Sequence, residues 1–439
     1  MRGRWASVVA VAAAGALALS ACSSSKSKGN GTSPGSNTGV ATGKVEVFSW
    51  WTGGGEAAGL DAMIKDFKAK NPGVDFVNAA VAGGAGTNAK GVLATRLQAN
   101  NPPDSFQGHA GAELQDYIKA GQIEPLDDFY TANGLNDVFP KQLIDEISYK
   151  NHVYSVPVNI HRANVLWWNP KVVTAAGITA PPASIAEFIT DLGKIKASSP
   201  NVLPISVGDS WTRVHLLETV LLGDLGADGW NALWAANADW STPKVTQAIN
   251  DFKAIMAFVP ANQYSASWQD ASKEVIDGKA AYNVMGDWAA GYFTGDVAGG
   301  NLAKTAKTDF DWAASPGTDG IYDWLSDSFT LPKGAPNASG AKAWLKEASS
   351  KDGQDLFNPL KGSIPARKDA DKSKYTGYLA WAFDEWGKDK LVGSYYHGVV
   401  ANNTWHKDIE DATGVFVTKG WDVSGFQSAL VTAAKNDNN

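Results

Sequence analysis

Two aromatic–polar clusters are the residues of this 439-residue chain best suited to chemistry. In the first, Trp50-Trp51 runs into Thr52-Gly53-Gly54-Gly55-Glu56, so that two indoles, a glycine turn and a carboxylate follow one another. In the second, Asp104-Ser105-Phe106-Gln107-Gly108-His109-Ala110-Gly111 supplies an acid, an amide and an imidazole ahead of Glu113. Flat indoles suit the apolar faces of a sugar ring and offer large contact area at low entropic cost. Carboxylate and amide groups beside them suit its hydroxyls. His109 alone also reads as a helix-capping or core histidine. Cys22 is the single cysteine, and the six histidines are scattered without H-E-x-x-H or C-x-x-C spacing. No metal and no cofactor is therefore expected. Gly84 to Gly91 (GAGTNAKG) imitates a phosphate loop, but Ala89 rather than glycine precedes Lys90, and Gly91 follows it. Gly31-Thr32-Ser33-Pro34-Gly35 imitates a nucleophile elbow in a low-complexity segment where that motif has no strand-turn-helix context.

The elements that must hold these clusters alternate between strand and helix, which predicts an α/β protein. Val45-Glu46-Val47-Phe48 reads as a strand ending at the first cluster. The carboxyl end of a strand, opening through a glycine turn into a helix, is where α/β sheets bind ligands. Leu60, Met63, Ile64 and Phe67 lie on one helical face, and Asn71-Pro72-Gly73 stops that helix. Val74 to Val77 reads as the next strand, and Leu114, Tyr117 and Ile118 as a helix closed at Gly121. Ser184 and Glu187 form a capping box ahead of an amphipathic helix, and Val245, Ile249, Phe252, Ile255 and Met256 mark another. Of the eighteen tryptophans, Trp230, Trp234, Trp240, Trp344 and Trp381 are assigned to core packing. About 400 residues of this pattern exceed one sheet's core, so two lobes are expected.

Composition narrows the function further. The chain is 44% hydrophobic and 19% charged, an ordinary globular balance. With 38 Lys plus Arg against 45 Asp plus Glu the net charge is −7, which argues against a nucleic-acid binder. Arg2 and Arg4 precede an uncharged apolar run, Val8 to Leu19, too short to span a bilayer. Residues 1–21 therefore read as a secretory signal peptide. The run ends in Leu19-Ser20-Ala21-Cys22, similar to a bacterial lipobox, with Cys22 the expected lipidation site. Removal of residues 1–21 takes the charge to −9, since Arg2 and Arg4 go with them. Residues 22–43 then form the lipidated cysteine and a flexible Ser/Gly/Asn/Thr tether. The expected address is the outer face of the cytoplasmic membrane, held by the lipid anchor alone.

Together, FSWWTGGGE (48–56), LATRLQANNPPDSFQGHAG (93–111) and VPVNIHRANVLWWN (156–169), followed by GKAAYNVMGDW (278–288), SDSF (326–329) and KGSIPAR (361–367), carry a resemblance. Over roughly residues 44–430 the chain resembles the family 1 extracellular solute-binding proteins of bacterial ABC transporters, which are maltose-binding-protein-like. Within that family it is most similar to binders of glucose and related aldohexoses. The glycine turn carries one glycine more than the family pattern. The resemblance implies an α/β, two-lobed, hinged periplasmic-binding-protein-like fold with a ligand cleft between lobes. It implies three crossings, placed near Pro157, Pro316 and Pro359, giving an N-lobe of 44–156 with 316–358 and a C-lobe of 157–315 with 359–439. It implies a monomeric receptor, not an enzyme, whose partners are a monosaccharide, glucose first, and the permease subunits. The sugar contacts it implies are Trp50, Trp51 and Glu56, Gln107 and His109, Trp268 and Trp288, Asp327, Lys361 and His397. Lys90, Asp209 and Trp211 are a further set that matches less closely.

Rival readings remain at this level. A binder of galactose, mannose, xylose or a short oligosaccharide has the same sequence features. A secreted glycoside hydrolase would need two carboxyl groups flanking a bond, such as Asp323 with Asp327 or Asp384 with Glu385. A surface adhesin would bind polymer without transport, which a closed cleft disfavours.

Overall fold

The computed structural model describes residues 41–437. The expected signal peptide, Cys22 and nearly all of the tether lie outside the described residues. Among the described residues no helix is long and apolar enough to cross a membrane.

Strands distribute over three main sheets. The first contains β1 (Gly43–Phe48), β2 (Val74–Asn78) and β3 (Ser105–His109) in parallel. A short hairpin, β4 (Ser148–Tyr149) with β5 (His152–Val153), precedes β6 (Ser155–Pro157), β7 (Asn159–Arg162) and β8 (Val165–Trp168). Later strands are β9 (Leu203–Ile205), β10 (Ala280–Val284), β11 (Asp311–Ala314), β12 (Ile321–Leu325), β13 (Asp327–Thr330), β14 (Ile364–Pro365) and β15 (Lys390–Gly393). The first sheet runs β2-β1-β3-β13-β6, the second β11-β8-β10-β9 and the third β14-β7-β12-β15. Every residue of β3 and β13 is buried, as expected for central strands covered on both faces.

The chain changes sheet at two single-residue joints. Val158 separates β6 in the first sheet from β7 in the third, close to the expected crossing at Pro157. Ser326 separates β12 in the third sheet from β13 in the first. Residues 321–325 pair with β7 and β15, so the change of sheet falls ten residues after Pro316, near which a crossing between lobes was expected. Pro359, near which the third crossing was expected, lies inside a helix.

Helices follow the apolar spacing. Helix α1 (Gly54–Lys70) buries Leu60, Met63 and Phe67, and Asn71 closes it by donating its side-chain amide to the Phe67 carbonyl at 2.9 Å. The helices α2 (Thr87–Gln98) and α3 (Ala112–Lys119) flank β3. Ser184 Oγ caps α4 (Ile185–Ser198) by accepting from Glu187 N, while the Glu187 carboxylate accepts from Ala183 N, one residue beyond the cap. Beyond the long α5 (Ser210–Ala232), α6 (Pro243–Met256) buries all five residues of its expected stripe. Then come α7 (Trp268–Ile276), α8 (Trp288–Thr294) and α9 (Lys351–Lys361). Trp230, Trp240 and Trp344 are buried core, while Trp234 and Trp381 pack half-buried against it.

Glycines set the junction that matters most for the site. A Cβ at residue 55 would sit 2.3 Å from the Leu360 carbonyl oxygen, and one at residue 291 would meet the same oxygen at 2.3 Å. Helices α1 and α8 can therefore close on α9 only because these positions lack side chains. Gly55→Ala is expected to cost about 1–3 kcal/mol through overpacking. Gly53→Ala, whose Cβ would meet nothing within 4 Å, is expected to stay within ~0.5 kcal/mol. Denaturant melts of the two variants check the contrast.

Candidate functional site

Closure of α1 and α8 on α9 brings Glu56, Trp288 and Lys361 together. These three, with Trp50, Ala85, His109, His161, Trp211, Trp268, Leu325, Asp327 and His397, line one cavity. The wall is built from strand ends and first helical turns. Trp50 follows β1, His109 ends β3, Leu325 ends β12 and Asp327 begins β13. Glu56, Trp211, Trp268 and Trp288 lie in the first turns of α1, α5, α7 and α8, Lys361 ends α9, and His397 sits in the loop after β15.

Register explains the most polar part of the wall. Antiparallel pairing sets Asp327 directly opposite His109. Gln107, two residues before His109 on the same strand face, donates its amide to Asp327 Oδ1 at 2.7 Å and accepts from Trp50 N at 3.2 Å. Asn159 completes the frame, donating to Asp327 Oδ2 at 2.7 Å and accepting from Asp327 N at 2.8 Å. The His161 Nε2 lies 3.4 Å from the same Oδ2, and its Nδ1 is hydrogen-bonded to Asp287. Burial alone would raise the Asp327 pKa; the His161 hydrogen bond, the Lys361 charge and the two imidazoles hold it well below the usual carboxylate range. Burial disfavours charge on His161 too, but Asp287 on one ring nitrogen and Asp327 near the other raise its pKa.

The remaining charges are also held in pairs. Lys361 Nζ donates to Glu56 Oε1 at 2.7 Å and lies 5.7 Å from the Trp288 ring centre. Lys90 Nζ donates to Glu113 Oε2 at 2.8 Å, and His109 Nδ1 meets the same oxygen at 2.8 Å. Burial would raise the Glu113 pKa, but Lys90 and His109 drive it well below the usual range. With Nδ1 on Glu113, the other nitrogen of His109 faces Asp327 at 3.7 Å. His397 is the exception: burial, then neighbouring His215, His109 and Lys90, push its pKa well down, and its Nε2 is buried without a protein partner. A neutral imidazole with an unspent ring nitrogen on a cavity wall is a hydrogen-bonding group left for a ligand.

Aromatic rings enclose this polar set. Trp50 and His109 lie 5.1 Å apart between ring centres, Trp288 and His397 5.1 Å, and His161 and Trp288 5.4 Å. The arrangement has the means to bury a small uncharged molecule: flat apolar faces, and donors and acceptors whose positions are fixed before the ligand arrives.

Nine of the residues singled out from sequence lie on the wall: Trp50, Glu56, His109, Trp211, Trp268, Trp288, Asp327, Lys361 and His397. The other four stand behind or beside it. Trp51 packs its ring against Phe357 and Phe329 and supports Lys361 from behind rather than lining the cavity. Gln107 acts through Asp327 and the Trp50 backbone, and Lys90 through Glu113 and the Trp50 ring. Asp209 precedes α5 without capping it, and burial raises its pKa to about 6. Of the residues in the rival hydrolase pairs, Asp323 lies off this wall, and Glu385 faces buried Arg162 at 3.4 Å.

Three wall residues carried no sequence assignment: Ala85, His161 and Leu325. His161 was legible in principle, because Asn159 and His161 alternate onto one face of a strand in a segment already singled out. Ala85 and Leu325 are apolar side chains with no chemical signal.

The sequence pattern described as bacterial extracellular solute-binding protein matches residues 29–355. An ABC transporter extracellular-binding protein of Pyrococcus horikoshii is 34% identical over 90% of this chain and 88% of its own length. The xylose/arabinose-binding protein XacG of Haloferax volcanii is 30% identical over 80% of this chain and 76% of its own. A solved chitin oligosaccharide binding protein superposes with a TM-score of 0.77 at 18% identity, covering 90% of this chain and 99% of the other, and so shares the two-lobed fold. A cavity lined with indoles and with polar groups already fixed in place is what a receptor of this kind needs, and the chain belongs to the bacterial extracellular solute-binding protein family.

Proposed function

We propose that this chain is the lipid-anchored sugar receptor of an ABC importer, that its ligand is a single aldopyranose, D-glucose first, and that it delivers the sugar to the membrane permease. The cavity carries this reading. Four indoles, Trp50, Trp211, Trp268 and Trp288, share its wall with Glu56, Asp327, Lys361 and His397. Flat apolar faces beside fixed donors and acceptors are what a pyranose ring requires. A neutral polyol loses its water hydrogen bonds on entry, and hydrogen bonds to ionised partners return roughly 1.5–3 kcal/mol each. That accounts for Glu56, Asp327 and Lys361 around an uncharged ligand.

The two lobes correspond, in this reading, to the first sheet on one side and the second and third sheets on the other, with crossings at Val158, Ser326 and the α9–β14 connection. Trp50, Glu56, His109 and Asp327 come from one side and Trp211, Trp268, Trp288 and His397 from the other. Only the closed form completes the contact set, so ligand shifts the hinge equilibrium toward closure, the form that the permease engages. Cys22 supplies the anchor, and the receptor works as a monomer.

A thermal-shift screen of monosaccharides against the full chain tests the assignment. D-glucose at a hundred times its Kd should stabilise the protein by about 2.7 kcal/mol. A shift with D-xylose or L-arabinose and none with D-glucose would favour the pentoses, the ligands in XacG's name. No shift with any monosaccharide would refute the reading.

A further inference from the structure

Off the cavity wall, two acids that the binding reading leaves unused are buried side by side. Glu218 of α5 and Asp323 of β12 have no solvent exposure. Glu218 Oε1 accepts from Ser394 Oγ at 2.6 Å, and Oε2 accepts from Tyr396 N at 2.8 Å. Ser394 Oγ in turn accepts from His397 N at 3.3 Å. Neither carboxyl oxygen of Asp323 has a donor partner. A buried carboxyl lacking donors, set beside a carboxylate, is satisfied when it carries a proton and donates it.

The same loop is gripped from its far side. Ala112 N donates to Val399 O and Glu113 N to Gly398 O, each at 2.9 Å. A Cβ at Gly111 would lie 2.5 Å from Val399 Cα, so α3 sits directly on the loop. Glu113 of that helix anchors His109 and Lys90. The loop therefore presents His397 to the cavity while joining α5 and β12 to α3, elements assigned above to different lobes.

We propose that the Glu218–Asp323 pair is the positioning device of the 394–399 loop: protonated Asp323 donates to Glu218, and Glu218 holds Ser394 and Tyr396 so that His397 meets ligand where α3 docks. The ligand part of this inference rests on the sugar-receptor reading. The ionisable groups facing the pair are Arg162 from β7 and Tyr395 and Tyr396 from the loop. Arg162 is engaged by Glu385 and Asp389 at 3.4 Å each. His215, one turn before Glu218, is held neutral by burial, with its pKa lowered to about 4. Burial and the Glu218 charge raise the Asp323 pKa. A raised folded-state pKa means stability that is complete below the unfolded value near 4 and is lost as pH rises toward the folded value.

Asp323→Asn keeps a donor and loses the titration, whereas Glu218→Gln sets an amide donor against the donors of Ser394 or Tyr396. Calorimetry with D-glucose on the full chain should give Asp323→Asn within threefold of wild type and Glu218→Gln at least tenfold weaker. Between pH 5 and 9 the melting temperature of Asp323→Asn should fall less than that of wild type. Glu218→Gln within twofold of wild type, Asp323→Asn as weak as Glu218→Gln, or parallel melting curves would overturn the proposal. If Glu218→Gln does not fold, Ser394→Ala replaces it, with at least a threefold loss expected and no loss overturning. If wild type ignores D-glucose, the sugar assignment falls alone. The pair is then judged by the melting curves and by the Tyr396 amide, whose exchange should quicken at least tenfold in Glu218→Gln; unchanged exchange would overturn it.

Discussion

Asp327→Ala is expected to lower the stability of the ligand-free protein by about 3–5 kcal/mol, because it removes one partner of a buried charged network and leaves the others unpaired. Gln107, Asn159 and His161 all point hydrogen-bonding atoms at this carboxylate. With Asp327 gone, His161 faces Asp287 alone, and the amides of Gln107 and Asn159 lose their acceptor. Sugar binding should disappear with it, since Asp327 is both wall and organiser. Asp327→Asn keeps the shape and loses the charge, and should retain more stability than the alanine variant. Denaturant titration separates the two, and equal losses would show that the charge, rather than the frame, is what the network needs. The pH response has a definite sign. The folded-state pKa of Asp327 lies below its unfolded value near 4, so its contribution is present above pH 4 and drains away as the pH falls below it. The alanine variant should lack this acid-side loss.

Trp288→Ala should be comparably damaging, at about 3–5 kcal/mol for a large buried aromatic. Its ring touches His161, His215, His397 and Trp211, and it folds over residue 286, where a Cβ would lie 2.2 Å from the indole. Removing it opens the junction of α1, α8 and α9 and unseats Lys361 as well. Trp288→Phe retains most of the apolar contact and should recover more than half the stability while binding sugar weakly. Unfolding midpoints with and without D-glucose read both effects. An alanine variant as stable as wild type would mean that the wall is not held by packing.

How much of this was legible beforehand depends on the range of the interaction involved. The α1 stripe of Leu60, Met63 and Phe67, the Asn71 stop, the Ser184 cap and the α6 stripe were readable because propensity, capping and apolar periodicity act over a few residues along the chain. Trp50, Glu56 and His109 were readable for a related reason: a strand end followed by a glycine turn is itself a local pattern. The others, Trp211, Trp268, Trp288, Asp327, Lys361 and His397, were reachable only through resemblance, since nothing near them in sequence marks a site.

Tertiary structure decided the rest. Trp51 looks the same as Trp50 in sequence, yet one lines the cavity and the other packs behind it, because adjacent residues leaving a strand face opposite ways. Pro316 did not mark where the chain changes sheet, because a turn residue says where a chain bends and not which sheet it joins; pairing of β12 with β7 and β15 puts that change at Ser326. The meaning of the glycine run at 53–55 was equally hidden, since its need for a bare α-carbon at Gly55 comes from the Leu360 carbonyl, some three hundred residues away. The sequence by itself determined the elements, their order and the chemistry on offer, all written in short-range terms. Which carboxylate faces which imidazole, and which indole faces the ligand, arose only when distant segments came into contact, because those energies exist between surfaces that the linear chain does not bring together.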